Sequence, residues 1–322
     1  MNSVLGGHWE TIVPSLFRKM ARVTTRAERL ELDDGDFLDL LWRSSGSDRL
    51  VILSHGLEGS AHAAYMQGMA ATCLAGGWDV LAWHFRSCSG ELNRLPRFYH
   101  SGATEDLAAV LRHALAVHPA RRVDLVGFSL GGNMTLKYLG ECGGSVHPRV
   151  HRAVAFSVPC DLASSSRALA TRFNREVYMR RFISSLTEKI RRKAVCFPGV
   201  FDLSGLEAIR TFQAFDDRFT APLHGFQDAE DYWEKSSSRP FLPFIRIPTL
   251  LVNAANDPFL GPGCYPHEES STSDCFTLEV PPSGGHVGFG LGKPNAAERR
   301  ALAFLSADEE PPDRVVQRRA SA

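Results

Sequence analysis

The stretch Leu125-Val126-Gly127-Phe128-Ser129-Leu130-Gly131-Gly132 constrains the possible folds more than any other part of the chain. An apolar run over residues 123–126, broken only by Asp124, reads as a buried strand, and residues 133–141 read as a helix. Between them lies Gly-x-Ser-x-Gly. A strand that passes into a helix over so few residues has to turn sharply. The turn strains the backbone at Ser129 and calls for glycine at 127 and 131, so that strand and helix can approach. It also presents the serine hydroxyl at the carboxyl end of a strand, beside the N–H groups that open a helix. Ser129 is therefore a candidate nucleophile. Because the pattern also arises by chance, the rest of the chain has to supply its partners.

A serine hydroxyl is a weak nucleophile: it needs a base to take its proton and a third group to orient that base. In one recurring arrangement the acid and then the histidine follow the serine, each on a loop beyond a later strand. Asp257, in Asn253-Ala254-Ala255-Asn256-Asp257-Pro258, lies just past a strand expected at 249–253. His286, in Gly284-Gly285-His286-Val287-Gly288-Phe289, lies past one expected at 275–280. Taken singly, Asp257 reads as a turn residue and His286 as a loop histidine. Order, spacing and strand-end position together favour a triad of Ser129, Asp257 and His286. Negative charge developing on an acyl oxygen also needs N–H donors. The N–H of Leu130, directly after the serine, is one candidate. The other is the N–H of Leu57, in the loop His55-Gly56-Leu57-Glu58-Gly59 that follows an apolar strand at 49–54. His55 is expected to shape that loop through a hydrogen bond rather than act as a base, and Glu58 reads as a solvated loop carboxylate.

The remaining chain supports an α/β fold: a mostly parallel sheet with an antiparallel N-terminal pair, helices on both faces and a cap insertion. Two short apolar runs, 29–32 and 37–42, flank Asp33-Asp34-Gly35-Asp36 and signal a hairpin. Helices are expected at 61–76, 104–116 and 296–304, and further strands at 78–85 and 151–158. Between residues 159 and 244 the alternation breaks, so this segment reads as a cap over the sheet, with the core formed by 28–158 and 245–306. Its aromatics (Phe173, Phe182, Phe197, Phe201, Phe212, Phe219) are read mainly as core, with some lining an acyl pocket. Asp216, Asp217 and His224 sit among Phe215, Pro222 and Phe226, which favours packing over a metal site. In residues 1–27, Trp9, Ile12, Val13, Leu16 and Phe17 suggest one apolar helix face, with Pro14 in a first turn. Packing of that face on the core is favoured over membrane-surface docking, although peripheral lipid contact stays open. Residues 307–322 are read as a flexible tail.

Composition narrows the function classes. With 36 basic and 36 acidic residues the formal net charge is zero, so there is no electrostatic case for nucleic-acid binding. Seven cysteines form no C-x-x-C pair, which argues against a disulfide scaffold or zinc site and for a reducing compartment. Charges at Arg18, Lys19, Arg22 and Arg26 interrupt any secretory pattern, and no run approaches the ~20 apolar residues of a spanning helix. The expectation is a cytoplasmic protein without an integral membrane segment, with its oligomeric state open.

Several longer blocks carry a family resemblance: His55-Gly-Leu-Glu-Gly-Ser60, Phe85-Arg-Ser-Cys-Ser-Gly90, residues 93–105, Gly127 to Asn133, residues 215–226, residues 253–259 and Gly284 to Phe289. From about Gly7 to Leu305 the chain resembles the YheT-like branch of the α/β-hydrolases. That branch is related to the eukaryotic abhydrolase-domain esterases and phospholipases and similar to the yeast ethyl-ester acyltransferase/esterases. The resemblance implies that Ser129, Asp257 and His286 occupy the family's charge-relay positions. The chain departs from the pattern at Asn256, where the family usually carries a second acid, and at Ala61-His62-Ala63-Ala64-Tyr65, which lacks the family's serines. The implied activity is a serine carboxylic-ester hydrolase of short- to medium-chain acyl esters, monoacylglycerols among them, with no cofactor and no metal. Two alternatives remain: an alcohol O-acyltransferase using the same acyl-enzyme, and a catalytically silent binding protein.

Overall fold

The computed structural model describes residues 4–21 and 25–307. The expected tail therefore lies, from residue 308 on, outside the described residues. Eight strands form one sheet in the order β1-β2-β4-β3-β5-β6-β7-β8. They are β1 (Arg26–Glu31), β2 (Phe37–Arg43), β3 (Arg49–Ser54), β4 (Asp79–Trp83), β5 (Arg122–Phe128), β6 (Val150–Phe156), β7 (Thr249–Val252) and β8 (Phe276–Glu279). β2 runs antiparallel to β1 and β4, and all other pairs are parallel. The central strands are buried on both faces. Leu50 and Ile52 of β3 pack into one core and Val51 and Leu53 into the other, while β4 divides Leu81 and Trp83 from Val80 and Ala82. This two-sided burial is why these strands read as continuous apolar runs rather than alternating ones. The chain leaves β3 toward one edge and returns to β5 on its other side, so the loops after β3 and β5 open at the point where strand order reverses.

Helix α1 (Val4–Phe17) precedes the sheet; α2 (Ala64–Ala75), α3 (Thr104–Val117) and α4 (Leu130–Cys142) connect its first six strands. Two helix starts differ from expectation by three residues. α2 starts three residues late because the Ser60 hydroxyl and carbonyl hold residues 61–63 in a turn. α4 starts directly at Leu130: the Ser129 carbonyl accepts from Asn133 N–H, closing the first helical turn over Gly131 and Gly132.

Between β6 and β7 the chain is helical. α5 (Leu162–Leu169) is followed by a helical run, Arg172–Asn174 and Arg180–Cys196, joined by a π turn at Arg175–Met179. A second π turn at Asp216–Thr220 and the helix Ala229–Ser236 complete the segment. Met179, Ile183, Leu186 and Ile190 recur at helical spacing and bury one face against Phe98, Phe215, Phe219 and Phe259. Asn133 ties the segment to the sheet: its amide donates to the Ser101 and Ser236 carbonyls and accepts from Ser238 N–H. On the opposite side Arg86 sits among Asp34, Asp36 and Asp106 at 2.7–2.9 Å, and Asn93 also donates to Asp36. That network assigns Arg86 and Asn93, each from one of the sequence blocks, to the scaffold.

The first helix corrects an expectation. Pro14 lies in the helix interior rather than the first turn. Of the expected apolar face, Trp9, Leu16 and Phe17 point outward, while Ile12 and Val13 are half-buried and Ile12 packs on the cluster around Phe98 and Phe259; Gly7, His8, Thr11, Pro14 and Arg18 face the protein. Two causes are visible. Arg18 forms a buried ion pair with Glu298 of the closing helix, at 2.7 Å. The small residues on the inner face let the helix backbone touch loops from the other end of the chain.

Candidate active site

Ser129 stands at the end of β5 with φ 51° and ψ −118°, a left-handed conformation that is costly for a residue with a side chain. The glycines beside it make the turn possible. A Cβ at Gly131 would come within 2.4 Å of the His55 carbonyl oxygen, and one at Gly127 within 2.5 Å of the Gly131 carbonyl oxygen.

The three triad candidates meet although they lie far apart in the chain. Ser129 Oγ is 3.0 Å from His286 Nε2. His286 Nδ1 is 2.9 Å from Asp257 Oδ2 and 3.1 Å from Oδ1. The Asp257 side chain is fully buried, and Phe259 N–H donates to its Oδ1 at 2.9 Å. The Phe259 ring stacks on the imidazole, with centroids 4.0 Å apart and planes inclined by 19°. A buried carboxylate on Nδ1 fixes that nitrogen as the N–H donor, which leaves Nε2 as the acceptor facing the serine.

Leu57 and Leu130, the two oxyanion candidates, line one cavity with Ser129 and His286. Leu130 is the first residue of α4, where N–H groups have no intrahelical acceptor. The His55 loop approaches the serine closely enough that a Cβ at Gly56 would lie 3.2 Å from Ser129 Cβ. His55 is enclosed: its Nδ1 meets the Gly56 carbonyl at 2.7 Å and its Nε2 accepts from Phe85 N–H at 3.2 Å. Burial lowers its pKa to about 3, so it is a neutral brace. Tyr65, from the segment that departs from the family pattern, accepts a hydrogen bond from Gly56 N–H at 3.0 Å.

Glu58 overturns the reading of a solvated carboxylate. Its side chain is 9% exposed, Lys189 Nζ lies 2.5 Å from its Oε1, and the Tyr99 hydroxyl donates to the same oxygen at 2.8 Å. Ser185 donates to Oε2, and the backbone at Glu58 has φ 51°. The His55 loop is thus bolted to the helix Arg180–Cys196 one residue beyond the oxyanion candidate Leu57.

Glu10 and Thr11 are contributors that the sequence reading missed. Thr11 Oγ1 accepts from His286 N–H at 2.8 Å, and Glu10 Oε2 accepts from Gly284 N–H and from the Asn256 amide. A Cβ at Gly288 would lie 1.9 Å from the Glu10 carbonyl oxygen, and one at Gly7 would lie 1.9 Å from that of Asn256. Pro14 has no N–H for the Glu10 carbonyl, and Gly288 packs against that freed group. The only sequence signal was the density of glycine and small polar residues on one face of α1.

Two cavities meet at Ser129 and His286. The first, about 100 Å³, runs under the helical segment and is walled by Phe98, Leu186, Phe215, Trp233 and Phe259. At its floor, Asp216 accepts from Trp233 Nε1 at 2.9 Å and from the Thr220 hydroxyl at 2.6 Å, and burial raises its pKa to about 7. Asp217 accepts from Ala229 N–H, and His224 packs on His100, so the three polar residues of this block have separate partners. The second, about 730 Å³, lies between α1, the His55 loop and the start of the helix Arg180–Cys196, and reaches the surface at Leu16, Val177 and Arg181.

Known proteins agree with this architecture. The family model described as "alpha/beta hydrolase fold" matches residues 49–293. YheT of Escherichia coli (strain K12), named provisionally as an esterase, is 38% identical over 289 residues, covering 88% of this chain and 84% of that protein. The monoacylglycerol lipase of Saccharomyces cerevisiae is 28% identical over 259 residues, covering 76% of this chain and 56% of the lipase. Among solved structures, the Pyrococcus furiosus esterase Pf2001 superposes with a TM-score of 0.60 over 90% of this chain and 98% of its own, a likeness of fold at 19% identity. Sheet order, strand-end serine and a family match across most of the chain converge: the protein belongs to the alpha/beta hydrolase fold family, on its YheT-like branch.

Proposed function

We propose that the protein is a serine carboxylic-ester hydrolase acting on short- to medium-chain acyl esters, monoacylglycerols among them. The observation that carries this reading is the hydrogen-bonded row Ser129 Oγ, His286 Nε2/Nδ1, Asp257 at 3.0 and 2.9 Å, placed where an apolar cavity and a surface cleft meet. The names of YheT and the yeast lipase point the same way.

In this reading the acyl chain occupies the cavity under the helical segment and the alcohol portion occupies the cleft. Ser129 Oγ attacks the acyl carbonyl carbon while His286 Nε2 takes the hydroxyl proton, and Asp257 stabilises the imidazolium. The N–H groups of Leu57 and Leu130 hold the oxyanion of the tetrahedral intermediate. His286 returns the proton to the departing alkoxide, leaving an acyl-enzyme. Water, deprotonated by the same imidazole, then attacks that ester, and Ser129 leaves with the proton as the free acid forms. None of these steps uses a cofactor.

Hydrolysis of p-nitrophenyl butyrate and octanoate by wild type and Ser129→Ala tests the reading: unchanged turnover in the variant refutes it. Because the cleft beside Ser129 is roomy, a bound alcohol in place of water would give ester transfer from the same acyl-enzyme. Product analysis with and without ethanol separates the two, since transfer requires an ethyl ester. Failure of a fluorophosphonate probe to label Ser129 would point instead to a silent binding fold.

A further inference from the structure

Helix α1 turns most of its large apolar side chains outward. Leu5, Trp9 and Leu16, spaced at helical intervals on one face, are 74%, 70% and 60% exposed, and the adjoining Phe17 is 68% exposed. Glu10, the acidic residue of the helix, turns inward to Asn256 and Gly284. Beside α1, Phe173 packs its ring 4.3 Å from His8, and Val177 follows one turn later; both are exposed. Of the twelve large apolar side chains exposed among the described residues, six stand on this rim. Leu16, Val177 and Arg181 line the mouth of the cleft that leads to Ser129.

Charge follows the same geography. The chain as a whole is neutral, yet the helical run from 172 to 192 exposes Arg172, Arg175, Arg180, Arg181 and Arg192 against Glu176 and Glu188. Lys19 extends the positive edge past α1. An apolar stripe with an exposed tryptophan, flanked by arginines, is the pattern of a helix that lies in a lipid–water interface. A second copy of the chain fits less well: a twofold contact through this patch would set the arginines of one copy against those of the other.

We propose that this rim docks on an anionic lipid surface, with α1 lying in the interface and the cleft mouth facing the lipid. The ester-hydrolase reading gives the docking its purpose, delivery of an acyl lipid from the bilayer to the cleft, but binding itself requires no turnover.

Intrinsic fluorescence tests this directly, because Trp42, Trp78, Trp83 and Trp233 are buried and Trp9 alone is exposed. The full chain is mixed with vesicles of phosphatidylcholine, or of phosphatidylcholine with phosphatidylglycerol, and followed by emission and co-sedimentation. The anionic vesicles are expected to blue-shift the emission and pellet the protein, with binding weakened by salt. Leu5→Ser/Phe17→Ser and Arg172→Glu/Arg180→Glu should each lower the partition coefficient about tenfold or more. Both should keep wild-type hydrolysis of soluble p-nitrophenyl butyrate, which reports that they fold. Ser129→Ala should bind vesicles as wild type does, so a failure of the hydrolase reading leaves this measurement intact. Absence of a blue shift and of pelleting with anionic vesicles overturns the proposal, as does binding that neither double variant weakens. A concentration-dependent dimer that Leu5→Ser/Phe17→Ser dissolves would also overturn it and make the face a self-interface.

Discussion

The bolt between Glu58 and Lys189 offers a sharp test of how the proposed oxyanion loop is held. Lys189→Met removes the cation and keeps the length of the side chain. It leaves Glu58 with two hydroxyl donors but no counter-charge, in a position where both side chains are 9% exposed. Breaking a buried ion pair by deleting one partner costs about 3–5 kcal/mol. Because this pair keeps slight contact with solvent, the lower end, about 3 kcal/mol, is the expected loss for Lys189→Met. Glu58→Gln/Lys189→Met removes both charges while the glutamine carbonyl still accepts from Tyr99 or Ser185. It should lose less than the sum of the single changes, by about 2 kcal/mol or more. Catalysis adds a second readout. Glu58 N–H is 2.8 Å from the Tyr99 hydroxyl, and the side chain anchors the residue next to Leu57. In the proposed mechanism the Leu57 N–H loses its aim without that anchor. Loss of one oxyanion donor lowers kcat about 10²–10³-fold, so a misaimed one should lower kcat roughly tenfold to a hundredfold with little change in KM. Urea denaturation of the four proteins of the cycle gives the stability terms, and steady-state hydrolysis of p-nitrophenyl butyrate gives kcat and KM. Strictly additive stabilities together with unchanged kcat would refute both parts of the reasoning.

Three further outcomes are expected. Asp257→Asn should lower kcat about 10⁴-fold while the protein stays folded, because an amide at this position no longer fixes the imidazole with its proton on Nδ1; circular dichroism and steady-state kinetics check it. Gly131→Ala should prevent the tight turn, since its Cβ would lie 2.4 Å and 2.5 Å from the His55 and Ser54 carbonyl oxygens. Loss of several kcal/mol in denaturant unfolding, or failure to fold, is the expected result. The Asp216 carboxyl, raised to about 7 by burial, binds its proton more tightly folded than unfolded. Its contribution to stability is therefore greatest at low pH and falls as pH rises from about 4 through 7. The three-unit span corresponds to roughly 4 kcal/mol. Asp216→Asn should flatten that part of the stability profile, and an unchanged slope in urea melts from pH 4 to 8 would reject the assignment.

The parts of this protein that were legible in its sequence are those whose causes are local. β3 was expected and found at the same residues because strands buried on both faces need unbroken apolar runs. Ser129, Asp257 and His286 could be picked out because each lies at or on the loop beyond the carboxyl end of a strand, and the strand order brings those loops together across 157 and 29 residues. The start of α4 was misplaced by three residues because glycine weakens a helix in propensity terms. Here Gly131 is required by the close approach of the end of β3 and Gly132 by Val158 just beyond β6, and tertiary contact overrides propensity. Glu58 was misread for a related reason. A carboxylate in a glycine-flanked loop looks solvated until a lysine 131 residues later reaches it.

Helix α1 shows where such reading fails. Apolar residues at helical spacing mark the buried face only where burial is driven by apolar area. The inner face of α1 is held differently, through backbone approach at Gly7, Gly285 and Gly288, hydrogen bonds that N–H groups of the His286 loop donate to Glu10 and Thr11, and the enclosed Arg18–Glu298 pair. These contacts join residues about 275 positions apart, and no periodic pattern encodes them. Once polar and glycine contacts fix the helix, its apolar stripe is left facing outward. The support of the His286 loop and the exposed rim at the cleft mouth are therefore consequences of the same packing, which places the helix that holds the backbone of that loop at the entrance to the cleft.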